Sequence, residues 1–335
     1  TSLRKVDGSP SFREGSVEIM AQEDIGDAIR KLKSAGADFI KVNDGLFPAP
    51  IFLEILRQSK GLGLSTAAHI PLEVSVEQLA EARLGSIEHA YFLTRFASAN
   101  EDRVVRRFAQ EPMGDDLFAH YFGVYNEFAA SIDDDKARNA FQVMREYGIA
   151  ITPTIYLLRR WFMVDESTVP EDDAGYSETP ASILRTHGTP DWIEYLNQRL
   201  PERRDADVRM VTEAQRLIGL AASQGVTLLT GSDTGTTNTF VYPGDSLHHE
   251  MAELVRAGLT PLQALRSATI NPARSFGLDD VAGTINTGKW ADIIILDENP
   301  LDDIQNTRAM VAVIQLGRLH DREALERLRK LPDGE

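Results

Sequence analysis

Apolar residues return along this chain at two alternating periods, one helical and one extended. Ile25, Ala28, Ile29 and Leu32 fall at helical spacing, and Gly36 follows as the terminator. An apolar run over 37–42 comes next and carries Lys41 near its end. The same phrase recurs four times. Gly61 and Gly63 precede 64–68, which ends at His69; Gly85 precedes 86–88, which ends at His89. Phe141 and Met144 lead to Gly148 and a run over 149–151 into Thr152, Pro153 and Thr154. Val208, Val211, Leu217, Ile218, Ala221 and Ala222 mark a helix before Gly225, and 226–230 then runs into Asp233. Helix–glycine–strand units in succession predict parallel strands joined by helical crossovers.

Two stretches break the refrain, 91–136 and 156–204, both too long for plain connections. The first is rich in aromatics (Phe118, Tyr121, Phe122, Tyr125, Phe128), and the second holds Trp161, Phe162, Trp192 and Tyr195. Each follows a strand end, so each can roof a site there or form a helical layer packed on itself. Past Asp233 the spacing predicts a helix over 246–257, ended by Gly258. Thr260-Pro261-Leu262-Gln263 reads as a capping box with proline at the first helical position. From Gly283 the pattern turns to β, with strands expected at 293–296 and 311–314 and a closing helix over 323–331.

The resulting expectation is α/β: a (β/α) barrel of the TIM type, partial in the strands it displays, with strands of a small C-terminal β-sandwich. The boundaries are 17–278 for the barrel, 279–320 for the small sheet and 321–335 for a helical tail. A doubly wound sheet is the alternative, but it usually carries a glycine-rich phosphate loop after its first strand, and this chain has none.

Composition narrows the function classes. Thirty-five Lys and Arg against 51 Asp and Glu give a net charge of −16 over 335 residues, which argues against a nucleic-acid partner. No apolar run approaches the ~20 residues of a membrane span, and no signal pattern is seen, so no membrane partner is expected and the compartment stays open. The chain begins with Thr1 rather than Met. With no cysteine, thiolate zinc sites and a cysteine nucleophile are excluded.

The chemistry then rests on residues at strand ends, where barrels place their active sites. His69, His89 and Asp233 are ligand types for a divalent metal that activates water. Lys41 shares their phase. As an ammonium it would repel a metal and bind a substrate carboxylate instead; as a carbamate it would be an anion able to bridge two ions. Thr154, Tyr156 and His248 are candidate substrate contacts, although adjacent His248 and His249 diverge by about 100° on a helix. His120, His187 and His320 have no ligand-type company.

Taken in order, Ala37-Asp38-Phe39-Ile40-Lys41-Val42, Ala67-Ala68-His69, Ser86-Ile87-Glu88-His89-Ala90, Thr152-Pro153-Thr154 and Thr230-Gly231-Ser232-Asp233 resemble successive strand motifs of metal-dependent amidohydrolases. The resemblance is to the imidazolonepropionase-like, prolidase-like branch. The tail is similar in the same order: Leu259-Thr260-Pro261, Ala268-Thr269-Ile270-Asn271-Pro272-Ala273, Gly283-Thr284-Ile285 and Gly288-Lys289-Trp290-Ala291-Asp292-Ile293. The likeness runs from about residue 17 to 322.

It implies a hydrolase of C–N bonds in a small amide or peptide-like substrate, such as a dipeptide or N-acyl amino acid. Lys41 would be the carboxylated ligand of one or two divalent ions, zinc first. His69 and His89 would ligate the more exposed ion, and Asp233 would act as ligand and as acid/base. One departure stands out: the family's His-x-His pair is absent from this sequence. A deaminase or a cyclic amide or imidazolone hydrolase of the same superfamily is an alternative. Another is a catalytically incomplete chain that needs self-association, as a homo-oligomer, or a partner chain.

Overall fold

The four positions of the first helical period are the four buried residues of α1 (Ile25–Ser34): Ile25, Ala28, Ile29 and Leu32. The computed structural model describes residues 2–5, 16–19, 22–43, 47–110, 117–164, 174–177, 179, 194–195, 198–199, 201–235 and 240–329. His187, Trp192, positions 330–331 and much of 156–204 lie outside the described residues.

Six strands form one parallel sheet: β1 (Ser2–Lys5), β2 (Ser16–Ile19), β3 (Phe39–Val42), β4 (Ser65–Ala68), β5 (Ser86–Glu88) and β6 (Ala150–Thr152), ordered β2-β1-β3-β4-β5-β6. From β3 to β6 spatial order follows chain order, which requires a crossover between each pair. These are α2 (Ala49–Gly61), α3 (Val76–Glu81) and a run of four helices before β6: α4 (Tyr91–Phe96), α5 (Glu101–Phe108), α6 (Leu117–Ala129) and α7 (Asp134–Tyr147). Asp133 caps α7 by accepting from the N–H groups of Asp135 and Lys136, and Gly148 ends it at φ 72°.

Four expected strands are therefore present. The fifth, 226–230, is reduced to a bridge: Leu228 pairs in parallel with Ile151, and Ile151 N donates to Thr227 O at 3.0 Å. Its extension stops because the Thr230 N–H donates to Ser267 O instead, at 2.8 Å. β1 and β2 were not anticipated: Ser2–Lys5 has no alternation, and Ser16–Ile19 alternates over only four residues. Among the described residues the ends of the sheet do not pair with each other, so the described strands form an open consecutive run rather than a closed barrel.

The chain divides into two compact units, residues 1–153 with 220–228 and residues 154–219 with 229–335. In the first, burial alternates along β3 and β4, putting Ile40, Val42, Thr66 and Ala68 on one covered face. Gly85 is required at the entry to β5, because a Cβ there would stand 2.1 Å from Ser65 Oγ and 2.7 Å from Thr66 O.

The second unit holds α8 (Ile155–Phe162), α9 (Ala174–Ser177), α11 (Asp245–Arg256), α12 (Pro261–Ser267) and α13 (Ile270–Ser275), while α10 (Pro201–Ser223) runs through the boundary at 219–220. The capping box forms as read: Thr260 and Gln263 exchange both bonds, with Pro261 at the first helical position. At the C-terminus, β7 (Ile293–Leu296), β8 (Met310–Gln315) and β9 (Arg318–His320) make an antiparallel sheet followed by α14 (Arg322–Arg329). The hairpin strand β9 is an addition to the two strands expected.

Candidate active site

In the first unit, strand register lines up the side chains that matter. Lys41 pairs with Ala67, Ala67 with Ser86, and Ser86 with Ala150. Small neighbours thus flank Lys41 along one row. By alternation Ser65, Ala67 and His69 share that face, as do Ser86 and Glu88. Lys41 Nζ lies 3.8 Å from Glu88 Oε2, with both side chains largely covered. Glu88 Oε1 also accepts from Ser86 Oγ at 2.6 Å and from Thr152 Oγ1 at 3.2 Å. Glu88 was quoted in a motif without a role. Its place opposite Lys41 follows from period-2 alternation once the two strands are aligned.

Alternation would send His89 to the face of Ile87, away from His69. It does not, because His89 adopts a left-handed backbone, φ 69°. The turn re-aims the ring, so that His89 Nε2 stands 2.8 Å from His69 Nε2. His89 is buried, and its pKa falls to about 3: burial is the main cause, the Lys41 cation adds to it, and the Glu88 carboxylate opposes it. The imidazole is therefore neutral at ordinary pH, the form that ligates metals.

An aromatic wall backs the pair. His89 stacks on Tyr91 at 5.6 Å between ring centroids, and His69 lies 5.8 Å from Phe92. Tyr91 in turn packs against Tyr121, Phe122 and Tyr125 of α6. The described aromatics of the first long connection thus pack on one another and on the helix that supports the histidines.

Buried Arg95 of α4 fixes the segment after His69. Its Nη1 donates to Pro71 O at 2.9 Å, its Nη2 to Val74 O at 2.7 Å, and its Nε to Glu101 Oε1 at 3.0 Å. Sequence reading missed Arg95, since the two carbonyls it holds lie more than 20 residues upstream and nothing local announces them.

The second unit carries the remaining candidates. Asp233 is exposed, with a left-handed backbone at φ 51°. Its loop is held on both sides: Ser232 Oγ to Thr234 Oγ1 at 2.9 Å, and Thr234 Oγ1 to Ser246 Oγ at 2.8 Å. Thr154 is buried and also left-handed, φ 49°, an uncommon state for a β-branched residue. Tyr156 stacks on His249 at 4.5 Å, and His249 Nε2 lies 3.0 Å from Asp245 Oδ2. His248 Nδ1 stands 2.8 Å from Thr307 Oγ1.

Glu250 is fully buried and accepts from the N–H groups of Ile155 at 3.0 Å and Tyr156 at 2.7 Å, closing the start of α8. Burial pushes its carboxyl up to about 8 against those bonds. Burial also raises Asp245, but the His249 hydrogen bond and the Arg308 guanidinium outweigh it and hold this carboxyl at about 2.

Among the described residues, no three His, Asp or Glu side chains stand together as a metal-binding group. The imidazole pair is the part that fits one. Two tetrahedral zinc ligands at about 2.0–2.1 Å from the ion lie roughly 3.3 Å apart, so at 2.8 Å the two nitrogens would have to part by about half an ångström to reach such spacing.

A parallel strand–helix series with polar residues gathered at strand ends defines an α/β protein with an enzyme-like site. The model of the Amidohydrolase family matches residues 52–318, so the chain belongs to that family. It is 38% identical over 104 residues to an ochratoxinase from Aspergillus niger, a match covering 30% of this chain and 20% of that protein. Among solved structures it resembles a bottromycin amidohydrolase (TM-score 0.68, 21% identity, 97% of this chain and 64% of that one). It also resembles a Xaa-Pro dipeptidase (TM-score 0.58, 19% identity, 94% and 63%). The chain therefore spans a fifth of the matched ochratoxinase and under two thirds of the two solved chains. Among the described residues no helix is long and apolar enough to cross a membrane.

Proposed function

We propose that this chain is a metal-dependent amidohydrolase that cleaves a C–N bond in a small amide or peptide-like molecule. The observation that carries the reading is the meeting of His69 and His89 at adjoining strand ends, Nε2 to Nε2 at 2.8 Å, with His89 neutral. Family membership supports the reaction class, and the names of the similar proteins include a dipeptidase and an amidohydrolase.

In this reading His69 and His89 hold a divalent ion, zinc first, and a second ion is compatible with Lys41 as a carbamate. When bound, such an ion lowers the pKa of a water and polarises the scissile carbonyl. Asp233 is proposed as a metal ligand and as the acid/base, taking the proton from the attacking water and giving it to the leaving amine. Lys41 enters as an ammonium paired with Glu88, so its conversion to a carbamate requires that a cation offset the new negative charge. Thr154, Tyr156 and His248 are proposed to contact substrate. The barrel is proposed to span 17–278 and to be of the TIM type, partial in the strands it displays.

The test is metal content by elemental mass spectrometry together with hydrolysis of a dipeptide and N-acyl amino acid panel. About one to two equivalents of metal and turnover are expected, with the metal lost in His69→Ala and turnover lost in Asp233→Asn. A folded chain that binds no added zinc would overturn the reading. One observation favours a second reading, in which another copy or chain supplies ligands: the described residues bring only two imidazoles together. Metal binding that rises with chain concentration would support it.

A further inference from the structure

In the first unit a cavity of about 240 Å³ opens beside the segment that follows His69. Its walls are Phe47, Pro71, Leu72, Val105 and Phe108, with Glu73 as the charged lining residue. Two of the three walls are the segments leaving the carboxyl ends of β3 and β4, the strands that carry Lys41 and lead to His69. The third is α5. Pro71 is two residues past His69, so their Cα atoms are within about 7.6 Å. That is roughly the reach of one amino-acid side chain.

The cavity is built rather than incidental. Arg95 grips the carbonyls of Pro71 and Val74 on one wall and pairs with Glu101 at the start of α5. Lys136 holds the other oxygen of Glu101 at 3.2 Å. Two walls are thus stitched through one buried guanidinium, which preforms the space. Ligand pockets that enclose a whole drug-sized molecule run to roughly 300–1,000 Å³. This one is smaller and mostly apolar, so it suits a single bulky side chain and not an entire substrate.

We infer that the cavity is the specificity pocket for an aromatic or large aliphatic side chain next to the scissile amide. The inference rests on the amidohydrolase reading for the word substrate, but not for the binding itself.

Binding can therefore be measured apart from turnover, by calorimetry on the whole 335-residue chain with N-acetylphenylalaninamide and N-acetylglycinamide. The phenylalanine amide should bind about ten- to a hundred-fold tighter than the glycine amide, the scale of burying one benzyl group. Leu72→Trp should abolish that preference by filling the space. His69→Ala should stop hydrolysis while keeping the phenylalanine preference, which separates failure of the pocket from failure of the active site. Equal affinity for the phenylalanine and glycine amides in the parent chain would overturn the inference.

Discussion

Two regions of this molecule are equally rich in titratable side chains, yet they use them in opposite ways. At the ends of β4 and β5, two imidazoles turn the same nitrogen toward each other. On α11, three consecutive residues go to three different tasks: His248 to Thr307, His249 to Asp245 and the Tyr156 ring, and Glu250 to the opening turn of α8. Convergence on a common point makes a site that can take a ligand from outside. Divergence to separate internal partners makes a brace. Residue type alone does not distinguish them, because the chemistry lies in where the lone pairs and protons are directed.

The largest effect that can break this contrast is on metal and turnover. His89→Ala should cut hydrolysis by about a thousand-fold or more and remove bound metal, since a ligand and the water it helps activate are lost together. His248→Ala, measured in the same way, should leave metal content unchanged. Next comes Arg95→Ala, which should lower unfolding free energy by about 3–4 kcal/mol in a denaturant titration, because it leaves the Pro71 and Val74 carbonyls without their donor and empties the space of a buried side chain, while Glu101 keeps Lys136. Glu250→Leu follows, at roughly 2–3 kcal/mol, by leaving two N–H groups without their acceptor.

Glu250 also gives a signed pH dependence. Its folded carboxyl sits near 8 against an ordinary 4.5, so folding favours the protonated form. Its contribution is present below 4.5 and is lost as pH rises through 8, so the parent chain should lose stability across that window relative to Glu250→Gln. The smallest and oppositely signed effect belongs to Asp245, lowered from 3.8 to about 2: its contribution is present above 3.8 and lost as pH falls through 2. Thermal melts of Asp245→Asn and the parent from pH 5 down to 2 should converge.

Much of this was legible in the sequence because it is local. Apolar spacing placed α1 to within its four buried residues, Gly148 marked the end of α7, and Thr260 and Gln263 announced their reciprocal cap. Strand ends were legible too, since a short apolar run stops where a polar residue follows. What escaped depends on partners distant in the chain. Arg95 reads as a surface arginine until Pro71 and Val74 are brought to it. Glu88 has no evident role until β3 and β5 are set on either side of β4. The loss of the strand at 226–230 turns on Ser267, 37 residues further on, capturing the Thr230 N–H. The inward turn of His89 is a backbone event, and histidine, unlike glycine, gives little notice of it.

That backbone event limits how the site can be retooled. A residue at position 89 must first tolerate φ 69°, and only then supply chemistry. Besides histidine, the side chains that do both are asparagine and aspartate, which enter the left-handed region readily and carry oxygen donors. Valine, isoleucine and threonine would enter that region only at a cost in backbone strain, as Thr154 does at φ 49°. A search for new metal preference or new reactivity at this position is therefore a search among three residues, not twenty, and the harder oxygen donors are the direction it leaves open.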